Sequence, residues 1–174
     1  MLPKIQKILY ATDLSPNTAY VFRYAINMAI KHDAEIFLLH VIEEMPASAR
    51  ILIDLELCAH EGTRDERIER NVIDYVDKIK KRLEVFVEKE LKDQPEALER
   101  VVSIEVHEGY STHEILKKTK ELNCDLIIMG SHGKGLISHA FLGSVAERVL
   151  RRTKIPILIV PLPDEITEIP FQSI

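Results

Sequence analysis

Residues 125–144 are DLIIMGSHGKGLISHAFLGS: a short apolar run, a glycine-rich segment and a Gly-Ser pair that opens a helical pattern. The run Asp125–Met129 is typical of a strand buried on both faces of a parallel sheet. In open α/β sheets, ligands bind beyond the carboxyl ends of such strands, where the strand order reverses. The segment therefore predicts both the fold class and the position of a binding site.

Toward the N-terminus, two more apolar runs predict strands at Lys4–Ala11 and Ala34–Ile42. Between them, Ser15 is a good helix N-cap and Pro16 suits the first helical position. A strand, a helix and a second strand form a βαβ unit, which implies parallel pairing with a right-handed crossover.

The middle of the chain continues the alternation of helices and strands. Residues 43–62 lack a regular pattern and predict an inserted loop or short helix. A charged amphipathic helix follows over Thr63–Lys92, and Val101–His107 alternates like a strand. Ser111 is expected to cap a helix ending at Leu122, with Glu114 completing a capping box.

After the glycine-rich segment, the pattern predicts a helix over Gly143–Arg152 and a last strand over Ile157–Val160. The fold class is α/β, an open doubly wound sheet of five mostly parallel strands with helices on both faces. We expect the first and fourth strands to be adjacent. We assign one domain to residues 1–163 and a C-terminal arm, docked on a neighbour, to 164–174.

Composition excludes several classes of protein. Of 174 residues, 46% are hydrophobic and 29% charged, which is too apolar for a disordered chain. The net charge of −5 argues against sequence-independent nucleic-acid binding. Neither a membrane span nor a secretory signal stands out, so we expect a cytoplasmic protein. Cys58 and Cys124 form no metal-ligand spacing, and Cys124 is expected in the core.

The glycine-rich segment is suited to binding phosphate. Glycines let backbone N–H groups approach an anion, and the unpaired N–H groups and dipole at a helix N-terminus favour negative charge. The Ser144 hydroxyl can donate to a phosphate oxygen. The segment matches neither the Walker A pattern nor the dinucleotide fingerprint. Taken singly, each glycine could equally be a simple turn.

Several polar residues have two interpretations. Asp13 either faces the predicted crevice or is only an acidic residue at a helix start. His132 and Lys134 either add positive charge at the phosphates or are merely exposed. Glu43 and Glu44 could approach a metal on the phosphates, although a charged surface turn explains them equally well.

The other polar residues are given structural interpretations. His40, inside an apolar strand, is interpreted as a packed histidine. A basic run complements the C-terminal end of the last helix, at Arg148, Arg151, Arg152 and Lys154. No catalytic constellation is apparent in the sequence, so any hydrolysis is expected to be slow.

The pattern G-x-x-G-(nine residues)-G-S, at Gly130, Gly133, Gly143 and Ser144, resembles the nucleotide-binding signature of the ATP-binding branch of the universal stress protein family. The segments KILYATDLSP, LLHVIE and KIPILIVP resemble that family as well. The resemblance covers nearly the whole chain, least so over residues 46–62 and the tail.

The resemblance implies an adenine nucleotide alpha-hydrolase-like fold that binds ATP or AMP, with Mg²⁺ or Mn²⁺ as a candidate metal on the phosphates. It places Asp13 on the adenosine and the Val41 backbone on the adenine. Ala11 stands where ATP-binding relatives often have proline, which weakens one backbone contact. Met129 and Gly130 would line the ribose and phosphate side, and the phosphates would be held by Gly133, Gly143, Ser144 and Val145.

The family also tends to form homodimers through the last strand, here Ile157, Leu158, Ile159 and Val160. A homodimeric stress-response or regulatory protein is therefore the leading hypothesis. One alternative is an enzyme of slow ATP hydrolysis or nucleotidyl transfer. Another is a nucleotide-free interaction module that uses the apolar segment Ile51–Leu57 and the tail.

Overall fold

The computed structural model describes residues 2–15, 17–43, 64–132 and 142–161, with the backbone alone over 64–72. The predicted arm at 164–174 and all but residue 43 of the predicted insertion lie outside these residues. Ten elements follow one another along the described chain: β1 (Lys7–Thr12), α1 (Thr18–His32), β2 (Glu35–Ile42), α2 (Arg64–Glu90), α3 (Pro95–Leu98), β3 (Val101–Glu108), α4 (Ser111–Glu121), β4 (Leu126–Gly130), α5 (Ser144–Arg152) and β5 (Ile157–Val160).

The five strands form one parallel sheet in the order β3-β2-β1-β4-β5. The predicted adjacency of the first and fourth strands is confirmed, since Ile8 pairs with Leu126 and Ala11 with Met129. From β1 the chain winds outward to β2 and β3, and it then returns to lay β4 and β5 on the other side. The doubly wound α/β class is confirmed, and the reversal point lies between β1 and β4.

Alternate strand residues supply two separate cores, one on each face of the sheet. Ile8 and Tyr10 of β1 pack with Phe22 of α1 and Leu83 of α2. Leu9 and its neighbours on the opposite face pack with residues of α4 and α5. Because β1 is covered on both faces, its sequence is a continuous apolar run rather than an alternating one. Cys124 is buried in the second core, as predicted.

Two predicted helix starts are wrong. Residue Asn17, not Ser15, is the N-cap of α1, and Ser15 is buried with its carbonyl accepting the Thr18 N–H. The cause is Asp13, whose Oδ1 accepts the Ser15 N–H at 3.1 Å and holds Ser15 in a turn that precedes the helix.

At α4, Tyr110 is the N-cap and makes no side-chain cap, so Ser111 is already helical. The capping box is absent because the Glu114 carboxylate accepts a bond from His107 instead. The short helix α3, after the predicted stop at Pro95, was not predicted; its first residue is that proline, whose ring suits a first helical turn.

Candidate functional site

The loop after β1 holds an unpaired buried acceptor. Asp13 Oδ1 accepts the Ser15 N–H, whereas Oδ2 is buried and accepts no hydrogen bond from the residues that the structure describes. Buried polar atoms are nearly always hydrogen-bonded, and leaving one unpaired costs about 1–3 kcal/mol. Next to it, Leu14 has φ of 58°, a left-handed conformation that is strained for a branched residue. Both features indicate that something besides these residues engages this loop.

Strand register brings three sequence-predicted residues to the same end of the sheet. Thr12 pairs with His40, so Asp13 and Val41 follow at the same level on neighbouring strands. Ala11 pairs with Met129, and Gly130 comes next on β4. The carboxyl ends of β2, β1 and β4 therefore place Val41, Asp13 and Gly130 side by side.

Four of the predicted site residues share one apolar surface. Ala11 and Met129 are buried in the core cluster under α4 and α5, and Val41 and Val145 are half-buried against the same cluster. This cluster gives the crevice beside Asp13 an apolar base on the α5 side. An apolar base with a few polar groups at its rim is typical of small-molecule sites.

His40 fixes the exit of β1. Its ring is buried, and Nδ1 donates to the Thr12 carbonyl oxygen at 2.8 Å. The interpretation of His40 as a packed histidine is confirmed. By tying the last residue of β1 to β2, it holds the backbone immediately before Asp13.

The two ends of the glycine-rich segment meet beside β5. The Ser131 N–H donates to the Val160 carbonyl at 2.9 Å, and the Gly143 N–H donates to the Ser131 carbonyl at 2.7 Å. His132 Nδ1 lies 2.9 Å from the Ser131 hydroxyl. Gly133 and Lys134 lie outside the described residues. The segment is thus closed at its base, which places the start of α5 next to the end of β4.

The N-terminus of α5 presents backbone donors. Gly143 is its N-cap, without a side-chain cap, and its φ of −65° is open to any residue. The Gly143 carbonyl accepts the Glu147 N–H. Within the described chain, the N–H groups of Ser144, Val145 and Ala146 have no acceptor. Together with the helix dipole, they form an arrangement that binds anions.

One basic side chain departs from its predicted place. Arg151 and Arg152 lie in the last turn of α5, as expected. Arg148 instead folds back toward the helix start, where Nε donates to the Ser144 carbonyl at 2.9 Å and Nη2 to the Ser144 hydroxyl at 3.1 Å. The guanidinium therefore lies near the exposed donors rather than at the C-terminal end of the helix.

Sequence reasoning missed a second polar cluster, between β3 and α4. His107 Nδ1 lies 3.0 Å from Glu114 Oε2, and Nε2 lies 2.9 Å from Glu105 Oε2. Lys118 Nζ lies 2.7 Å from Glu105 Oε2. Carboxylates only accept, so a hydrogen bond in either contact has a ring N–H of His107 as its donor. Glu105 and His107 are two residues apart on β3, so their side chains lie on the same face of the strand. That spacing was the signal that could have revealed the cluster.

The cluster shifts the titration of its members. The hydrogen bond from His107 lowers the pKa of Glu114. Burial acts to raise the pKa of Glu105, but the hydrogen bonds from Lys118 and His107 outweigh it, and the net shift is downward. The hydrogen bond to Glu105 raises the pKa of Lys118. All three shifts favour the charged forms, so this is a set of satisfied ion pairs that anchors α4 on β3.

The described residues offer no resident metal centre, since no group of three or more His, Cys, Asp or Glu side chains among them could hold an ion. A cavity of about 390 Å³ lies along the β3 edge, lined by Lys80, Glu84 and residues 101–105. It shares no residue with the crevice beside Asp13. The predicted site residues that the structure describes lie near the carboxyl ends of β1, β2 and β4, directly after β4, or at the start of α5.

Comparison with known proteins decides the family. The model of the universal stress protein family matches residues 4–161. The chain belongs to the universal stress protein family. Universal stress protein MJ0577 of Methanocaldococcus jannaschii is 30% identical over 156 residues, covering 89% of this chain and 94% of that protein. A membrane-spanning helix, long and apolar enough to cross a bilayer, does not occur in the described parts of this universal stress protein.

Solved structures agree with the fold. The structure of MJ0577 superposes with a TM-score of 0.70 at 28% identity, covering 94% of this chain and all of that one. Universal stress protein UspA from Lactobacillus plantarum superposes with a TM-score of 0.62 at 17% identity, covering 91% of this chain and 99% of that one. At that identity the second match supports the fold alone.

Proposed function

We propose that this universal stress protein binds an adenine nucleotide, ATP or AMP, in the β1–β4 crevice and acts as a cytoplasmic, homodimeric stress-response regulator. The observation that carries the proposal is the buried, unpaired Asp13 Oδ2, which lies at the same end of the sheet as the uncapped N-terminus of α5. Among the described residues, the first is an acceptor without a donor, and the second is a set of donors without acceptors. A nucleoside phosphate supplies both complements, because its ribose and amino groups donate and its phosphates accept.

At the adenosine end, Asp13 would accept from the ribose or base, and the Val41 backbone would meet the adenine. Asp13 Oδ1 is already engaged with Ser15, so Oδ2 is the oxygen left for a ligand. Met129 and Gly130 would line the passage between the two ends, and Ala11 would form part of its apolar base.

At the phosphate end, the N–H groups of Ser144 and Val145 and the Ser144 hydroxyl would donate to phosphate oxygens, with Gly143 permitting close approach. His132 and Gly133 would add contacts from the glycine-rich segment. A divalent cation such as Mg²⁺ or Mn²⁺ would be carried by the phosphates themselves, since the described side chains include no ligand cluster for it.

The binding experiment begins with the small molecules released from the denatured, purified protein, identified by mass spectrometry. The stripped protein is then titrated calorimetrically with ATP, AMP and GTP. We expect adenine nucleotide to bind at about one per chain and Asp13→Asn to weaken it about tenfold or more, as expected for loss of a charge-assisted hydrogen bond. Asp74→Asn, on the exposed face of α2, is the matched control and should leave affinity unchanged.

Other outcomes point elsewhere. Failure of every nucleotide to bind would refute the proposal and favour an interaction module. Steady release of ADP or AMP that disappears in Asp13→Asn would mean a hydrolase instead of a sensor. A stoichiometric complex without product supports the proposed regulator.

The homodimer proposal is supported by a difference between the two sheet edges. β5 presents the uncharged sequence ILIV, with Ile157, Leu158 and Ile159 only half-buried. The β3 edge carries a register irregularity at its start and the charged residues Glu105 and Glu108. Bulges and charges protect an edge from pairing, whereas an apolar, unprotected edge favours it.

Light scattering on a sizing column tests the dimer. Ile159→Asp places a charge on the β5 edge and should convert the dimer to monomer. Val102→Asp, at an exposed position on the β3 edge, is the control and should leave the mass unchanged. A monomeric wild type, or equal disruption by both variants, would contradict pairing through β5.

A further inference from the structure

Arg148 occupies an electrostatically unfavourable position in the described structure. It lies one helical turn after Ser144, yet its guanidinium folds back to the Ser144 carbonyl and hydroxyl. Cations are stabilised at the C-terminal end of a helix and disfavoured near the N-terminal end. The neighbouring carboxylate, Glu147, pairs with Arg151 at 2.8 Å. No described carboxylate pairs with Arg148, so its placement suits an anion that is not among the described residues.

The contact between Arg148 and Ser144 determines whether the serine hydroxyl can act as a hydrogen-bond donor. A guanidinium only donates, so Arg148 Nη2 must occupy a lone pair of the Ser144 oxygen. The single hydroxyl proton of Ser144 then remains available to donate elsewhere. The two contacts use two of the five N–H donors of the guanidinium. The others have no partner among the described residues.

From this geometry we infer that Arg148 is a positioning residue of the phosphate end: it sets the Ser144 hydroxyl as a donor and adds positive charge there. The site would consequently favour nucleotides with more phosphates, ATP over AMP and AMP over adenosine. The inference rests on the proposed nucleotide function and specifies which nucleotide that site prefers.

The test measures calorimetric affinities for ATP, ADP, AMP and adenosine at one ionic strength. Arg148→Gln should lower ATP affinity about tenfold, the loss expected for a charge-assisted contact. Adenosine affinity should stay within about twofold, because adenosine lacks the group that the residue serves. Arg151→Gln removes an equal charge from the same helix and is the matched control, with a smaller effect expected.

Two further variants separate positioning from charge. Arg148→Lys keeps the charge but has no planar fork to reach both Ser144 oxygens, so it should restore only part of the ATP affinity. If Arg148 acts through Ser144, the fold-loss of ATP affinity in the double variant with Ser144→Ala should be smaller than the product of the fold-losses in the two single variants. The positioning role would be overturned if Arg148→Lys bound ATP as tightly as the wild type. It would also be overturned if the fold-losses of the two single variants multiplied in the double variant.

The failures of the two proposals are distinguishable. If the wild type binds no nucleotide, the proposed function fails and this inference fails with it. If the wild type binds ATP and Arg148→Gln binds it equally well, the function stands and the inference is refuted. An equal loss for adenosine and ATP would also refute it, because a general structural effect would not depend on phosphate.

Discussion

Replacing Glu114 with glutamine tests the ion-pair cluster that joins α4 to β3. The Glu114 side chain is only 11% exposed, and its Oε2 lies 3.0 Å from His107 Nδ1. A hydrogen bond to a charged group contributes about 1.5–3 kcal/mol, and a neutral one about 0.5–1.5. The glutamine oxygen can still accept from His107, so the variant should lose the difference between these contributions, about 1–1.5 kcal/mol of unfolding free energy at neutral pH.

The pH dependence identifies the cause of that loss. The pKa of Glu114 in the folded protein lies below its ordinary value of 4.5. A carboxylate with a lowered folded pKa contributes stability that is fully present above the unfolded pKa and is lost as pH falls through the folded one. Below both values the wild-type side chain is neutral, like glutamine. The difference between the two proteins should therefore shrink toward zero in acid.

Urea unfolding followed by circular dichroism, at about pH 7 and in steps down to about pH 3, measures this difference. Glu121→Gln is the control, since Glu121 is 48% exposed and lies 3.7 Å from Lys118. It should cost less than about 0.5 kcal/mol. A loss in Glu114→Gln that stays constant across the pH range would refute the electrostatic explanation and assign the effect to packing.

Four further predictions each concern a single residue. Leu83→Ala empties a fully buried position in the core and should cost about 2–5 kcal/mol in urea unfolding. Asp125→Ala should cost about 1–2 kcal/mol, because its Oδ2 accepts the backbone N–H groups of Gln6 and Lys7 at the start of β1, at 2.8 and 3.0 Å. Cys124, whose pKa burial raises to about 11, should resist alkylation near pH 8 until urea unfolds the chain; rapid labelling of the native protein would contradict its burial. Asp13→Asn should raise the melting temperature of the nucleotide-free protein while it weakens binding, because the unpaired charge destabilises the empty site; a lower melting temperature would contradict that reasoning.

The fold was predictable because its signals are long and redundant. Runs such as those of β1 and β4 are apolar on both faces, and only a central parallel strand buries both. Turn residues bound each run, so the order of the strands was confirmed, with boundaries that moved by at most three residues. At β4, for example, Asp125 lies just outside the strand because its carboxylate binds the backbone leading into β1.

The failures concern polar side chains that have several possible partners. Ser15 and Glu114 both match local capping patterns, but Asp13 engages the first and His107 the second. Arg148 matches a dipole pattern but bonds to Ser144. The His107 contact comes from a different element and joins residues seven apart in sequence. Capping statistics count one type of local partner. A competing side chain decides the outcome instead, either two or four residues away, as for Ser15 and Arg148, or on another element, as for Glu114.

The position of the site follows from the winding of the sheet. The segment after β1 leads into α1 on one face, while the segment after β4 leads into α5 on the other. The two segments therefore leave this end of the sheet toward opposite faces. Among the described residues, Asp13 Oδ2 is buried without a partner at the end of β1, and the first N–H groups of α5 lack acceptors. A single ligand that carries donors at one end and anionic oxygens at the other would satisfy both of these unpaired sets of groups together.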